Sequence, residues 1–403
     1  MRIGEIPLWE YYNEASSFTI DAVFYVMISL SVMLATIVFL GKNTKKAVNF
    51  DKSINNDYLL QSRLDLACKI SLVLFLCLLL FLINMTGGIF AFLSSGYYVT
   101  QIFAEVPLIG MLFDWLIAIT FFGLSSRMLA GRSPWFWLIL QVLIILVLSY
   151  LGRRSSISII LLSYVFLIYV FFGLKAIKKI IIPGIIAVVL LNIIGFVRQF
   201  STGDLSSFVS MSAALIEELY HDGELVNMLF YTFQTGAFAV PFESLPLLMG
   251  THDCLSQCLI GSSYLNSLSS LIPSAILDGR PDNMARWYML NYYDAQADVR
   301  EGRQFFFLTE AYVNWGWLGA PLIGAFLGFS YTLLFRTYRI SSVVLRAFLL
   351  FFQTTVFATM LHLIANELGG YMVVVFKGYL FPAFFAVLIY LVLNMFSKRG
   401  LAG

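Results

Sequence analysis

Apolar residues in this chain fall into long runs separated by short polar turns, with one wide interruption. A helix that crosses a membrane needs about 20 mostly apolar residues, and such runs lie at roughly 19–41, 66–86, 108–127, 135–151, 156–174, 180–197, 318–335, 343–365 and 372–396. The interruption runs from Arg198 to Trp317. Inside it the window 228–250 is apolar but broken by Gln234, Pro241, Glu243 and Pro246, which predicts a re-entrant or surface-lying amphipathic piece. The pattern therefore predicts an all-α integral membrane protein with about nine spans, or more. Residues 1–197 carry about six of them, 198–317 form one large loop, and 318–403 carry about three.

Composition supports the pattern: 60% of residues are hydrophobic and 12% are charged, about half the charged share of an ordinary soluble chain. A net charge of +2 argues against a polyanionic partner such as nucleic acid. The first residues carry Glu5, Glu10 and Glu14 against Arg2, the wrong sign for a cleavable leader. The first span is therefore expected to direct insertion itself.

Basic residues set the expected orientation. Lys42, Lys45, Lys46, Lys52 and Arg63 follow the first span, Arg127 and Arg132 the third, and Lys175, Lys178 and Lys179 the fifth. Arg336, Arg339 and Arg346 follow the seventh, and Lys398 and Arg399 close the chain. Nine spans put all of these on the cytoplasmic side, with the N-terminus and the large loop outside. A single crossing by 228–250 would flip every later cluster, so that window is expected not to cross. Lys377 is the one lysine that disagrees.

The loop is where chemistry concentrates. It holds 13 of the 23 acidic residues, two of the three histidines and no lysine. Loops of this length in compact proteins are usually functional. The basic residues expected outside are Arg2, Arg153, Arg154, Arg198, Arg280, Arg286, Arg300 and Arg303. Arginine stays charged and grips phosphate or carboxylate through two parallel hydrogen bonds. An anionic ligand at the outer face is one reading, and ion pairs with the loop acids are the other.

Four stretches carry the candidates. Gly152-Arg153-Arg154-Ser155 sits in the turn before the fifth span, at the depth of lipid phosphates, where snorkelling to phospholipid is the bland alternative. Arg198 opens the loop. A Pro- and Gly-punctuated tract from Ile272-Pro273 through Asp278-Gly279-Arg280-Pro281-Asp282 leads on to Arg286, Arg300 and Arg303. Finally, Glu310, Tyr312 and Asn314 lie among aromatics at a membrane boundary, where a carboxylate is costly unless used or paired. Gly319, Gly324 and Gly328 are expected to let the seventh span pack closely on a neighbour.

Cys68 and Cys77 read as small core residues, whereas Cys254 and Cys258 could pair in an oxidising compartment. His221, His252 and His362 are scattered, and neither D-x-D nor H-E-x-x-H occurs, so no metal or other cofactor is expected. A zinc site drawn on His252-Asp253-Cys254 and Cys258 is a weak alternative. His362 reads as a packed core histidine or as part of a proton route.

Together these features resemble the Wzy-type O-antigen and oligosaccharide repeat-unit polymerases. The Gly-Arg-Arg turn, the Ile-Pro…Gly-Arg-Pro tract and above all Thr-Glu-Ala-Tyr-Val-Asn-Trp-Gly-Trp-Leu-Gly at 309–319 carry the resemblance. The paired R-x10-G motifs of some members are absent, since Val209, Asn291 and Asn314 stand eleven residues after Arg198, Arg280 and Arg303.

The resemblance implies a GT-C-like glycosyltransferase architecture in a bacterial inner membrane, with loop and N-terminus periplasmic and C-terminus cytoplasmic. It implies donor and acceptor glycans linked to undecaprenyl diphosphate, surrounding inner-membrane lipids, and a flippase and chain-length regulator as pathway partners. Under that chemistry Glu310 is the first choice of base, with Arg280 and Asp282 beside it and Asp278 and His221 behind. Arg153, Arg154, Arg198, Arg286, Arg300, Arg303, Tyr312 and Asn314 would bind substrate. Two rival readings stand: an O-antigen ligase-like transferase, and a lipid-linked oligosaccharide flippase or other transporter. Transport predicts charges deep in the spans, and only Asp114 and His362 stand out there.

Overall fold

The structure, a computed structural model, describes residues 8–41, 58–94, 106–151, 153–173, 175–178, 239–252, 258–272, 281–292, 305–334, 342–360 and 366–399, with single residues at 210, 214, 217, 277 and 363. Every regular element among them is helical. In chain order they are α1 (Leu8–Gly41), α2 (Tyr58–Met85), α3 (Gly88–Ser94), α4 (Pro107–Leu129), α5 (Trp135–Tyr150) and α6 (Arg154–Phe172). There follow α7 (Ala239–Thr251), α8 (Ser262–Ser269), α9 (Met284–Tyr292), α10 (Phe307–Trp315), a 3-10 turn (Gly316–Leu318) and α11 (Gly319–Leu334). The last are α12 (Val343–Ala358), α13 (Leu368–Met372), a π-helical stretch (Val373–Leu380) and α14 (Phe381–Arg399).

Six helical stretches are long and apolar enough to cross a membrane: Phe18–Gly41, Gln61–Met85, Leu108–Leu129, Ser155–Phe172, Phe307–Leu334 and Leu368–Phe396. Two shorter apolar helices, Trp135–Tyr150 and Val344–Ala358, fall where the sequence predicts spans. The run at 180–197 lies outside the described residues. The stretch from Phe307 starts well before the expected 318, because Glu310, Thr309 and Asn314 lower the hydropathy of a helix that nevertheless buries them. Of the 228–250 window, the helix Ala239–Thr251 is described.

The chain forms two compact units. The first combines Met1–Ala47, Tyr231–Thr337 and Thr359–Val374, and the second Val48–Phe230, Tyr338–Ala358 and Val375–Gly403. In the first unit α1 runs along α11, and α7 packs on both α1 and α10. The α1–α11 contact depends on small residues. A side chain at Gly324 would strike the Ser29 carbonyl, and one at Gly328 would meet the Met33 carbonyl and Thr36. Membrane helices associate through such close backbone approach, since lipid offers no hydrophobic drive between them. Gly319 is equally confined, against the Ala311 carbonyl and the Tyr25 hydroxyl. Ala22, Tyr25, Leu245, Phe306, Leu308, Ala311, Ala320 and Ile323 close this core.

In the second unit α2 packs on α4 and α14, α5 lies on α4, and α12 packs on α4 and α6. Pro107 starts α4, where its missing N–H has no helical partner to lose. Gly173, at φ 75°, ends α6 in a conformation that favours glycine. The π geometry at Val373–Leu380 is rare at this length. Within it the Lys377 carbonyl accepts a 2.7 Å hydrogen bond from the Trp115 indole. Cys68 is buried on α2, as expected, whereas Cys77 is exposed.

Candidate functional site

The first unit buries one carboxylate in a helix that is apolar at most other positions. α10 begins where Phe306 is extended, and Glu310 stands one turn in. The helix is anchored there by Ser244 of α7, whose Oγ lies 2.8 Å from Thr309 Oγ1 and accepts a bond from the Phe306 N–H. Glu310, Thr309 and Asn314 are fully buried.

Each Glu310 carboxylate oxygen meets one neutral donor. Ser263 Oγ on α8 donates to Oε1 at 2.8 Å, and the Leu368 backbone N–H donates to Oε2 at 2.8 Å. Asn314, one turn further along α10, completes the arrangement. Its amide nitrogen donates to Ser263 Oγ at 2.6 Å and to the Glu310 carbonyl at 2.7 Å, while its Oδ1 accepts the Gly261 N–H at 2.8 Å. The result is a chain of donors, Asn314 to Ser263 to Glu310, in which the serine hydroxyl has only one way to point. Hydrogen bonds in series polarise one another in a low-dielectric interior.

The turn before α8 holds the far end of α10. Leu259 and Ile260 donate their N–H groups to the Val313 and Asn314 carbonyls, both at 3.1 Å. These carbonyls would otherwise be orphaned where α10 stops at Gly316. Tyr264 stacks on Trp315 with ring centroids 5.0 Å apart. Its hydroxyl has no hydrogen-bond partner among the described residues.

A second carboxylate adjoins the first. Glu367 immediately precedes α13 and is buried, and burial pushes its carboxyl above the ordinary glutamate value. It lies near enough to repel Glu310 when both are ionised. No arginine or lysine pairs with either glutamate among the described residues. A charged carboxylate in such a place is destabilised, and a protonated one is a ready donor.

Scans against protein-family models, curated proteins and solved structures find no significant match to this chain.

The other sequence candidates are placed as follows. Arg153 donates to the Gly110 carbonyl at 2.8 Å and pairs with Asp114 at 3.3 Å, where Ser156 also donates to Asp114. Arg154 is the first residue of α6. Arg286 pairs with Asp282 at 3.1 Å across one turn, both largely exposed. The Tyr312 ring is buried edge-on to Tyr25, with centroids 5.8 Å apart. Asn314 has its amide engaged within the protein as described. Arg198, Arg280, Arg300, Arg303, Asp278, His221 and His362 lie outside the described residues. His252 meets the Tyr292 hydroxyl at 3.2 Å through Nδ1. Cys258 is disulfide-bonded, and Cys254 lies outside the described residues.

Sequence reading singled out Glu310 but missed Ser263, Tyr264 and Glu367. Ser263 belongs to an unremarked serine-rich run with no charge. Glu367 is a lone acid between two apolar runs, and that isolation was the available signal.

Proposed function

We propose that this chain is a polymerase of lipid-linked oligosaccharide repeat units. In this reading it transfers the growing glycan from undecaprenyl diphosphate to a sugar hydroxyl of an incoming undecaprenyl-diphosphate-linked repeat, at the periplasmic face of a bacterial inner membrane. One observation supports it above the rest: a fully buried carboxylate, Glu310, held by neutral donors within the segment that resembles the Wzy-type polymerases.

The reaction needs two things. The attacking hydroxyl must lose a proton as its oxygen bonds to the anomeric carbon, and the diphosphate must carry away the electrons of the breaking C–O bond. Glu310 serves the first need. Ser263 and the Leu368 N–H each occupy one lone pair and leave others to accept the proton. They also fix the carboxylate plane, so that the proton acceptor is preorganised. Glu367 offers a neighbouring station for the proton. Asn314 acts as a positioning residue, because it aims the Ser263 hydroxyl. The loop arginines Arg198, Arg280, Arg300 and Arg303 serve the second need by neutralising charge that develops on the leaving diphosphate. No step calls on a metal.

The test is the glycan ladder of a strain lacking this chain. The proposal expects lipid A core bearing a single repeat unit. Bare core would point instead to a ligase, and repeat units trapped on the cytoplasmic side to a flippase; either would overturn it.

A further inference from the structure

The helix α8 buries a line of serines against the protein and exposes an apolar flank. Ser263 and Ser267 are buried, while Leu265 and Leu268 are exposed, and Ile260 and Ile272 at its two ends are exposed as well. A soluble surface helix is arranged the other way round. The whole stretch Leu259–Ile272 contains no charged residue.

Three of its serines satisfy their hydroxyls without water. Ser267 Oγ donates to the Ser263 carbonyl, Ser269 Oγ to the Asn266 carbonyl and Ser270 Oγ to the Ser267 carbonyl. Such back-bonding is how serine is tolerated in helices that face lipid. At helical spacing Leu265 and Leu268 share one flank, and Ser262 and Asn266 share another about 110° round the helix. The helix thus has three sides: buried serines, an apolar flank and a polar flank.

Its depth can be read from the span it is bonded to. The run Phe307–Leu334 is not one straight helix: α10 stops at Gly316, and Gly319 lies against the Ala311 carbonyl, so α10 folds back on the start of α11. α11 alone, 16 residues or about 24 Å once straight, is shorter than about 30 Å of hydrocarbon, so its start, and Asn314 beside the turn before it, lie near the hydrocarbon boundary. Ile260 and Gly261 are bonded directly to Asn314. Trp317, Leu318, Leu322 and Phe326 are exposed and form a strip that lipid must cover, and Gly261 and Tyr264 lie against Trp315, two residues before it.

We infer that Ile260–Ile272 is a membrane-seated re-entrant element lying at the hydrocarbon boundary, with Leu265 and Leu268 among acyl chains and Ser262 and Asn266 toward the headgroups. Ser263, the serine that holds Glu310, is then carried on a segment seated at the bilayer boundary. This placement stands independently of the polymerase reading. Ile260, a β-branched residue at φ 47°, marks the corner where the chain turns into the membrane.

The test uses full-length protein in liposomes, with Cys68→Ala and Cys77→Ala as background and nitroxide labels at Leu265→Cys, Leu268→Cys and Asn266→Cys. Labels at 265 and 268 are expected to be several-fold more accessible to oxygen than to a water-soluble nickel chelate, with the ratio reversed at 266. Chelate access at all three sites would overturn the inference. So would immobilised labels shielded from both reagents, which would mean a protein cover such as a second copy. Unmodified protein gives a check that needs no substitution: a diazirine attached to lipid acyl chains should label the 259–272 peptide along with Phe307–Leu334. Labelling of the span without that peptide would contradict the placement.

Discussion

Asp65 and Glu310 are both buried carboxylates on apolar helices, and the protein treats them in opposite ways. Asp65, in the second unit, takes the Arg127 guanidinium on both oxygens at 2.8 and 2.6 Å, the Trp137 indole at 3.0 Å and the Lys69 ammonium at 3.1 Å. Its charge is balanced and its lone pairs are occupied. Glu310, in the first unit, takes one hydroxyl and one backbone N–H. The contrast separates a carboxylate matched by cations from one held by neutral donors alone. In a low-dielectric interior a balanced acid is inert, whereas an unbalanced one changes protonation readily.

If Asp65 is a structural anchor, removing its main partner should damage folding first. Arg127→Ala leaves a buried carboxylate with only Lys69 and Trp137, and should lower stability by about 3 kcal/mol, the low end for a broken buried pair because Arg127 is partly exposed. Thermal unfolding in detergent would show it. An unchanged midpoint would make the pair ornamental and blur the comparison with Glu310.

The next effect concerns the frame that holds Glu310. Gly324→Val puts a branched side chain where an added Cβ alone would strike the Ser29 carbonyl, and should separate α1 from α11 at a cost of about 1–3 kcal/mol. Gly88→Ala, where open space surrounds the added carbon but φ is 91°, is a control for glycine loss without a clash. Equal losses at the two sites would mean that backbone strain, rather than packing, dominates.

Ser263→Ala removes one of the two donors to Glu310 and orphans an Asn314 N–H. It should cost about 1–3 kcal/mol in stability, measured by the same unfolding assay. Ser263→Thr keeps the hydroxyl and should recover part of the loss. Equal loss in both variants would place the cause in α8 packing and not in the hydrogen bond.

The smallest effect is a pH dependence at Glu367. Burial raises its carboxyl above the ordinary value, so the folded protein holds that proton more tightly than the unfolded chain. Its contribution to stability is full below the unfolded value of about 4.3 and is lost as pH rises through the higher folded value. Glu367→Gln should therefore flatten the decline of melting temperature with rising pH over that window. A decline as steep as in the wild type would show that Glu367 does not titrate there.

Much of the frame was legible in the sequence, and the reasons for the rest are specific. Apolar runs located the helices, and Gly319, Gly324 and Gly328 marked a close helix contact, though not that α1 is the partner at Gly324 and Gly328. Glu310 stood out because a carboxylate among aromatics at a membrane boundary demands an explanation. Its partners did not, since Ser263 lies 47 residues before it and Leu368 lies 58 after it, and only tertiary packing joins them. The start of the span at Phe307 was hidden for a related reason: the polar residues that make the site also depress the hydropathy that reveals a span. Arg153 was legible as a cation in a turn, but its partner Asp114 is 39 residues earlier and sits inside a span.

The account rests on Glu310 being the reactive acid. Purified protein in liposomes, supplied with lipid-linked repeat units, would measure this by comparing chain extension in wild type and Glu310→Gln at equal folded amounts. The glutamine keeps the shape and an acceptor for Ser263 but turns its NH2 toward the Leu368 N–H and cannot take a proton, so extension per folded molecule should fall by about 10²-fold or more, beyond the lower melting temperature that the lost Leu368 bond brings. Extension at the wild-type rate by the folded variant would contradict the account.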